Sequence, residues 1–256
     1  ETAVSGGYVV EIGDAAVTSR GVCWSTSQNP TISDNHTTDG SGEGEFTSNV
    51  TGLMPNTTYY LRAYATNEGG TGYGEEYSFT TEWYQIGGYD CVDLGLPSGL
   101  KWATCNIGAS SPEEYGNYYA WGEVTPKTEY TEANSETYGM LMNDISGNPQ
   151  YDAAAANWGG GWRMPTNTEM QELIDNCTWV WLLQNGTMGY KVTGPNGSSI
   201  FLPAAGYRSG SSLNDAGGYG GYWSSKPLSN NLAYGLYFDR SRHDASNSDR
   251  YRGYTV

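Results

Sequence analysis

Charge is scarce in this chain, and positive charge scarcer still. Only 16% of the 256 residues are charged, with 12 Lys or Arg against 28 Asp or Glu, a formal net charge of −16. So acidic a chain repels nucleic acid and anionic membranes, so neither is an expected partner. No apolar run approaches the ~20 residues of a membrane span, so no membrane insertion is expected of this region. The four cysteines, Cys23, Cys91, Cys105 and Cys177, have no CxxC spacing, which excludes a standard zinc motif. They read as small buried hydrophobes, with Cys105–Cys177 open as a bridge if the chain is extracytoplasmic. The two histidines, His36 and His243, fall in different halves and make no triad. Neither an initiator Met nor a signal peptide is present. Glu1 opens into what reads as a strand already under way, so a mature or trimmed fragment is expected. No cofactor and no metal are expected.

The chain is rich in glycine (36) and tyrosine (22). Many short strands with Gly turns fit this composition better than helices do, so the expected fold is mainly β. Strands are expected at Tyr8–Ile12, Arg20–Ser25, Glu45–Val50 and Tyr59–Thr66, a spacing that points to a β-sandwich. Leu53-x-Pro55-x-Thr57-x-Tyr59 resembles the E–F corner of a fibronectin type III domain. The resemblance implies that the Tyr59 hydroxyl is tied to nearby backbone. It covers most of residues 1–81, without the first strand, and implies a spacer. A boundary near Thr80–Trp83 gives domains 1–82 and 83–256.

Beyond the boundary the chain is richer in Trp and Gly. Leu100–Thr104 and Tyr118–Glu123 read as strands, Pro112–Asn117 as a turn or short helix, and residues 125–150 as a polar excursion over the surface. Asp152 can cap a short helix ending before Gly159. Thr166-x-x-Glu169 is a capping box, followed by Met170, Leu173, Ile174 and Cys177 on one helical stripe. Asn196-Gly197 marks a hairpin between residues 189–193 and 198–203, and residues 214–221 read as a Gly-rich loop. Leu232, Tyr234, Leu236 and Phe238 alternate with Ala233, Gly235, Tyr237 and Asp239, a strand with one apolar face. The polar run after it cannot form a core but can form a surface.

Val92-Asp-Leu-Gly-Leu-Pro-Ser-Gly, Trp102-Ala-Thr-Cys-Asn-Ile-Gly-Ala, Tyr119-Ala-Trp-Gly-Glu, Asn157-Trp-Gly-Gly-Gly-Trp-Arg-Met-Pro-Thr, Leu202-Pro-Ala-Ala-Gly-Tyr-Arg and Tyr222-Trp-Ser-Ser together resemble the Fibrobacter major paralogous domain. That family is widespread in surface lipoproteins and adhesin-like proteins of gut bacteria. The match runs over about residues 88–256 and implies a C-type lectin-like, α+β second domain, similar to formylglycine-generating enzymes and to variable proteins of diversity-generating retroelements. Family members usually continue past Val256 with Arg-Pro-Val, so the end is expected to be cut.

The resemblance implies a cell-surface, extracellular protein, anchored through an unseen N-terminal segment, that recognises a protein or glycan ligand on another cell or surface. The implied display stretch is 222–256, with Trp223, Tyr237, Asp239, Ser241, His243, Ser246, Asn247, Tyr251 and Arg252 as ligand-binding candidates. Tyr and Arg give large contacts at low entropic cost, and Ser and Asn adapt their hydrogen bonds. Lys, Glu, Gln, Met and Trp, which adenine-directed mutagenesis of Asn codons cannot produce, are absent from residues 230–256. Diversified and ordinary paralogues both remain open. Enzymatic oxidation of the formylglycine type needs a Cys pair in the C-terminal part, and no Cys follows Cys177. No enzyme is therefore expected. Calcium-dependent sugar binding is disfavoured because Gly194-Pro195-Asn196 and Trp223-Ser224-Ser225 lack the required acids. A structural pilus-tip or stalk subunit is the alternative.

Overall fold

The computed structural model describes residues 1–10 and 15–256, as two compact units, Glu1–Trp83 and Tyr84–Val256. The fold is mainly β, with both α-helices in the second unit. The first unit holds β1 (Thr2–Val9), β2 (Ser19–Ser25), β3 (Asn35–His36), β4 (Gly44–Thr51), β5 (Thr58–Asn67) and β6 (Gly70–Thr80). The strand expected at Tyr8–Ile12 is represented by the end of β1, and its Glu11 and Ile12 lie outside the described residues. β1 pairs with β4, and β3-β2-β5-β6 form a second sheet. Val9, Phe46 and Val50 from one sheet meet Val22, Trp24, Tyr59 and Leu61 from the other, which makes the unit a sandwich. The Tyr59 hydroxyl accepts a hydrogen bond from the Met54 N–H at 3.0 Å, tying the corner before β5.

The second unit holds β7 (Tyr84–Ile86), β8 (Tyr89–Asp93), β9 (Lys101–Ala103), α1 (Ala153–Asn157), α2 (Asn167–Asn176), β10 (Thr178–Gln184), β11 (Thr187–Thr193), β12 (Ser199–Pro203), β13 (Tyr207–Ser209), β14 (Ser212–Asn214), β15 (Tyr219–Pro227), β16 (Leu232–Asp239) and β17 (Arg242–Asp249). Its sheets are β7-β8-β9, β10-β11-β12, β13-β14 and β15-β16-β17. The Asp152 carboxylate caps α1 by accepting from the Ala154 and Ala155 N–H groups, both at 2.9 Å. The capping box forms at α2, where Thr166 Oγ1 accepts from the Glu169 N–H and Glu169 accepts from the Thr166 N–H. Met170 and Leu173 are the fully buried part of the helical stripe.

Several expectations are corrected. Tyr118–Glu123 is not a strand. It is an irregular buried segment with a single bridge, Tyr119 to Tyr254, because the chain turns at its end, with Gly122 at a φ of +75° and the Glu123 N–H donating to the Ala120 carbonyl at 3.1 Å. Of the two forms expected at Pro112–Asn117, the structure shows the turn, closed by the Glu114 N–H donating to the Ser111 carbonyl at 3.2 Å. The polar excursion is not merely superficial, since Tyr130, Thr137 and Ile145 in it are buried. The loop expected at 214–221 is shorter, because β14 ends at Asn214 and β15 begins at Tyr219. The polar run after Asp239 forms β17, in unbroken register with β16 from Asp239↔Arg242 to Leu232↔Asp249. All four cysteines are free thiols, so Cys105 and Cys177 form no bridge.

Two glycines show how tightly the sheet is packed. A Cβ on Gly220 would run into the Phe238 ring, and one on Gly221 into the Tyr254 ring. The aromatic rings lie directly on the β15 backbone, which only glycine allows.

Candidate functional site

The site is built on the sheet β15-β16-β17. Side chains alternate across a sheet, so register fixes which residues share a face. On one face Tyr237 lies opposite Gly221 and Asp244, and Gly235 opposite Trp223 and Ser246. On the other, Phe238 lies opposite Gly220 and His243, and Leu236 opposite Tyr222 and Ala245.

Trp223 and Tyr237, expected on the display surface, lie in the core instead. They are 1% and 6% exposed and belong to the core. The Trp223 indole N–H donates to the Tyr119 carbonyl at 2.9 Å. Its ring meets Tyr254 edge-on at 4.8 Å, and Tyr237 meets the same ring at 5.3 Å. The physical reason is that β16 is the middle strand, covered on both faces, so its alternation separates two buried sides rather than core from solvent. Leu236 and Phe238 are buried as expected, while Leu232 and Tyr234 are half-buried. The Tyr237 hydroxyl is buried with no hydrogen-bond partner.

Above this core the surface carries a row of half-exposed groups. Tyr219, on the Tyr237 face, stacks with Tyr237 at 6.2 Å and meets Tyr207 edge-on at 6.1 Å. The Arg252 guanidinium lies 5.3 Å from the Tyr207 ring centre and 5.8 Å from that of Tyr251. It is held by the Asp249 carboxylate at 3.2 Å. Tyr251 in turn meets Tyr138 at 5.5 Å. Asp244 and Ser248 are half-buried on the same sheet face, with Ser246 exposed between them. Ser248 Oγ shares a hydrogen bond of 3.1 Å with the Tyr254 hydroxyl. Burial pushes the pKa of Tyr219, Tyr237 and Tyr254 above the ordinary phenol value. These hydroxyls therefore stay neutral and offer aromatic area and hydrogen bonding rather than charge.

The remaining candidates are dispersed. Asp239 accepts from the Ser241 N–H at 2.7 Å and the Ser241 hydroxyl at 2.6 Å, and pairs with Arg242 at 3.3 Å. These two residues close the hairpin turn, and the Ser241 bonds hold the Asp239 carboxyl below its usual range. His243 points to the opposite face. It stacks on Trp179 at 4.4 Å and meets Tyr190 edge-on at 5.4 Å. Desolvation lowers its pKa. Asn247 is exposed on that same opposite face. The structure thus brings Tyr251 and Arg252 together, leaves Ser246 on the Tyr237 face of the sheet, and sets His243 and Asn247 on the other face. The sequence reading missed Tyr207, Tyr219, Tyr138, Asp244 and Ser248. Tyr207 and Tyr219 each flank a glycine next to a strand, a visible signal, but their convergence with Arg252 depends on long-range pairing of Arg208 with Gly253. Among the described residues, no group of three or more His, Cys, Asp or Glu could hold a metal ion.

No family model matches the chain, and no curated protein matches it. A solved structure, the twitchin kinase region from C. elegans (Fn31-NL-kin-CRD-Ig26), is similar at 12% identity, over 81% of this chain and 29% of that one. Its TM-score of 0.24 carries no argument about fold or function.

Proposed function

We propose that the chain is a non-enzymatic recognition protein of a bacterial cell surface, in which a C-type lectin-like domain of the major paralogous type binds a protein or glycan ligand beside a fibronectin type III-like spacer. The observation that supports this is the row Tyr207, Tyr219, Tyr251 and Arg252, half-exposed beside a sheet whose other face holds the buried Leu236 and Phe238. Rigid aromatic and Arg anchors with adaptable Ser neighbours are what binding surfaces are made of. The test is a glycan and protein array probed with the parent chain and with a Tyr207→Ala, Tyr251→Ala, Arg252→Ala variant of matched circular dichroism. Loss of the parent's hits in the variant supports the reading. Identical hits refute it.

A second reading, a structural subunit of a surface assembly, is favoured by β1. It is an edge strand whose Val4 and Tyr8 are 74% and 68% exposed. Unpaired apolar edges pair with other chains. Concentration-dependent self-association lost on Val4→Lys would select this reading.

A further inference from the structure

We infer that the second unit holds another binding site, separate from the recognition surface, which takes a small, uncharged, flat aromatic molecule. The site is a crevice of about 420 Å³. Trp102 and Ala103 of β9, Met170 and Leu173 of α2, Leu202 of β12 and Trp158 line it. Protein interiors are close-packed, and voids larger than a few waters are rare. This one falls in the range of about 300–1,000 Å³ typical of small-molecule sites. Trp102, Ala103, Trp158 and Leu202 are all half-buried, so apolar surface that the fold has not filled is left on its walls.

Two features select the ligand class. The first is charge. Arg163 and Glu169 line the crevice but neutralise each other, through a two-pronged contact of 2.6 and 2.8 Å. The ammonium of Lys101, also at the crevice, rests on the Tyr84 ring at 4.1 Å. Lys101 is exposed to solvent, so a charged guest among the apolar walls would lose its hydration and meet no unpaired charge there. The second is shape. Indoles of Trp102, Trp158 and Trp162 line the crevice, and flat π-faces favour offset or edge contact with an aromatic guest. Leu236 and Tyr222 also line it, from the sheet face opposite Tyr237. Trp223 lines it as well, but none of Tyr207, Tyr219, Tyr251 and Arg252 does, so the crevice and the recognition row share no residue.

The test is a fluorescence titration of the full chain with N-phenyl-1-naphthylamine, an uncharged probe that brightens in apolar sites. Saturable one-to-one binding is expected, with energy transfer from the crevice tryptophans. Ala103→Trp, which plugs the crevice from a half-exposed position, is expected to weaken binding at least tenfold. Leu202→Trp plugs it from another wall and serves if the first variant has a lowered melting temperature. In the parent chain, 2-naphthol is expected to displace the probe, and 2-naphthalenesulfonate is not. The Tyr207→Ala, Tyr251→Ala, Arg252→Ala variant is expected to bind the probe like the parent, whatever happens to its array hits. Unsaturable binding, equal displacement by both naphthalenes, unaltered binding in the folded plug variants, or loss in the surface variant would each overturn the inference.

Discussion

Arg250 is fully buried without a carboxylate partner, and its removal tests how the display hairpin is held. Desolvation lowers its pKa to about 10, so it stays charged at neutral pH. A fall of that size from 12.5 corresponds to roughly 3 kcal/mol of cost to the charged folded state. The surroundings must offset it. The guanidinium donates to the Met140 carbonyl at 2.9 Å and the Thr137 carbonyl at 3.2 Å, and lies 4.2 Å from the centre of the Trp121 ring. It therefore ties the excursion around residues 137–140 to the strand end at 249–250. Arg250→Ala leaves the Met140 carbonyl without its donor and a void against Trp121, while the Thr137 carbonyl keeps the Met140 N–H at 3.2 Å. At about 1–3 kcal/mol for the orphaned carbonyl and a similar amount for the void, partly offset by release of the desolvation cost, the net loss should be about 2 kcal/mol. Arg250→Met refills the void but not the bond and should lose about 1 kcal/mol. Calorimetry of the full chain reads these as melting shifts of the second unit, roughly 6 °C for the Ala variant. Amide exchange should localise the loosening to 137–140. If Arg250→Met melts with the parent or above it, the Met140 carbonyl does not depend on Arg250, and the tie is not what holds the hairpin.

Other perturbations probe the remaining elements. Tyr237→Phe removes a buried hydroxyl without a partner and should leave the melting temperature unchanged or raise it, by up to about 1 kcal/mol; a clear loss would mean that the hydroxyl is bonded after all. Thr166→Ala should cost about 1 kcal/mol through the lost cap on α2, measured by urea unfolding. Burial alone would raise the Glu169 pKa, but the Arg163 bond and the Thr166 N–H outweigh it and lower it. Its contribution to stability is thus complete above the ordinary carboxyl range and fades as pH falls through the lowered value, a dependence Glu169→Gln should flatten. His243 has the opposite chemistry with the same slope. Its folded pKa is depressed by burial, so the unfolded chain takes up the proton first, and stability falls as pH drops below about 6.5. A His243→Phe variant should lose that component in pH-dependent melting.

Local signals were legible in the sequence wherever the structure is decided locally. The Thr166–Glu169 box, the Asp152 cap, the Asn196-Gly197 turn and the Tyr59 corner each depend on residues within a few positions of one another. The assignment of Tyr237 to solvent failed because period two distinguishes faces, not which of them is covered. Whether β16 is an edge or a middle strand depends on β17, and β17 is almost entirely polar. Its strand character comes from ladder bonds to β16 rather than from apolar residues, so hydrophobic patterning does not show it. Trp121 and its neighbours are hidden for the converse reason. They are apolar but irregular, paired with residues near 250–254 that lie far along the chain. The surface row likewise assembles Tyr138, Tyr207, Tyr219 and Arg252 from four separate segments.

The glycines of β15 have a consequence for how this protein can vary over generations. Gly220 and Gly221 bear aromatic rings on their backbone, so every larger residue there displaces the core. Across two ladders, β17 presents Arg242, Ser246 and Asn247 to solvent with no such restriction. A single sheet is therefore frozen along one margin and free along the other. Substitutions at the exposed positions of β17 are therefore expected to leave the register intact, whereas any side chain at Gly220 or Gly221 is expected to disturb it.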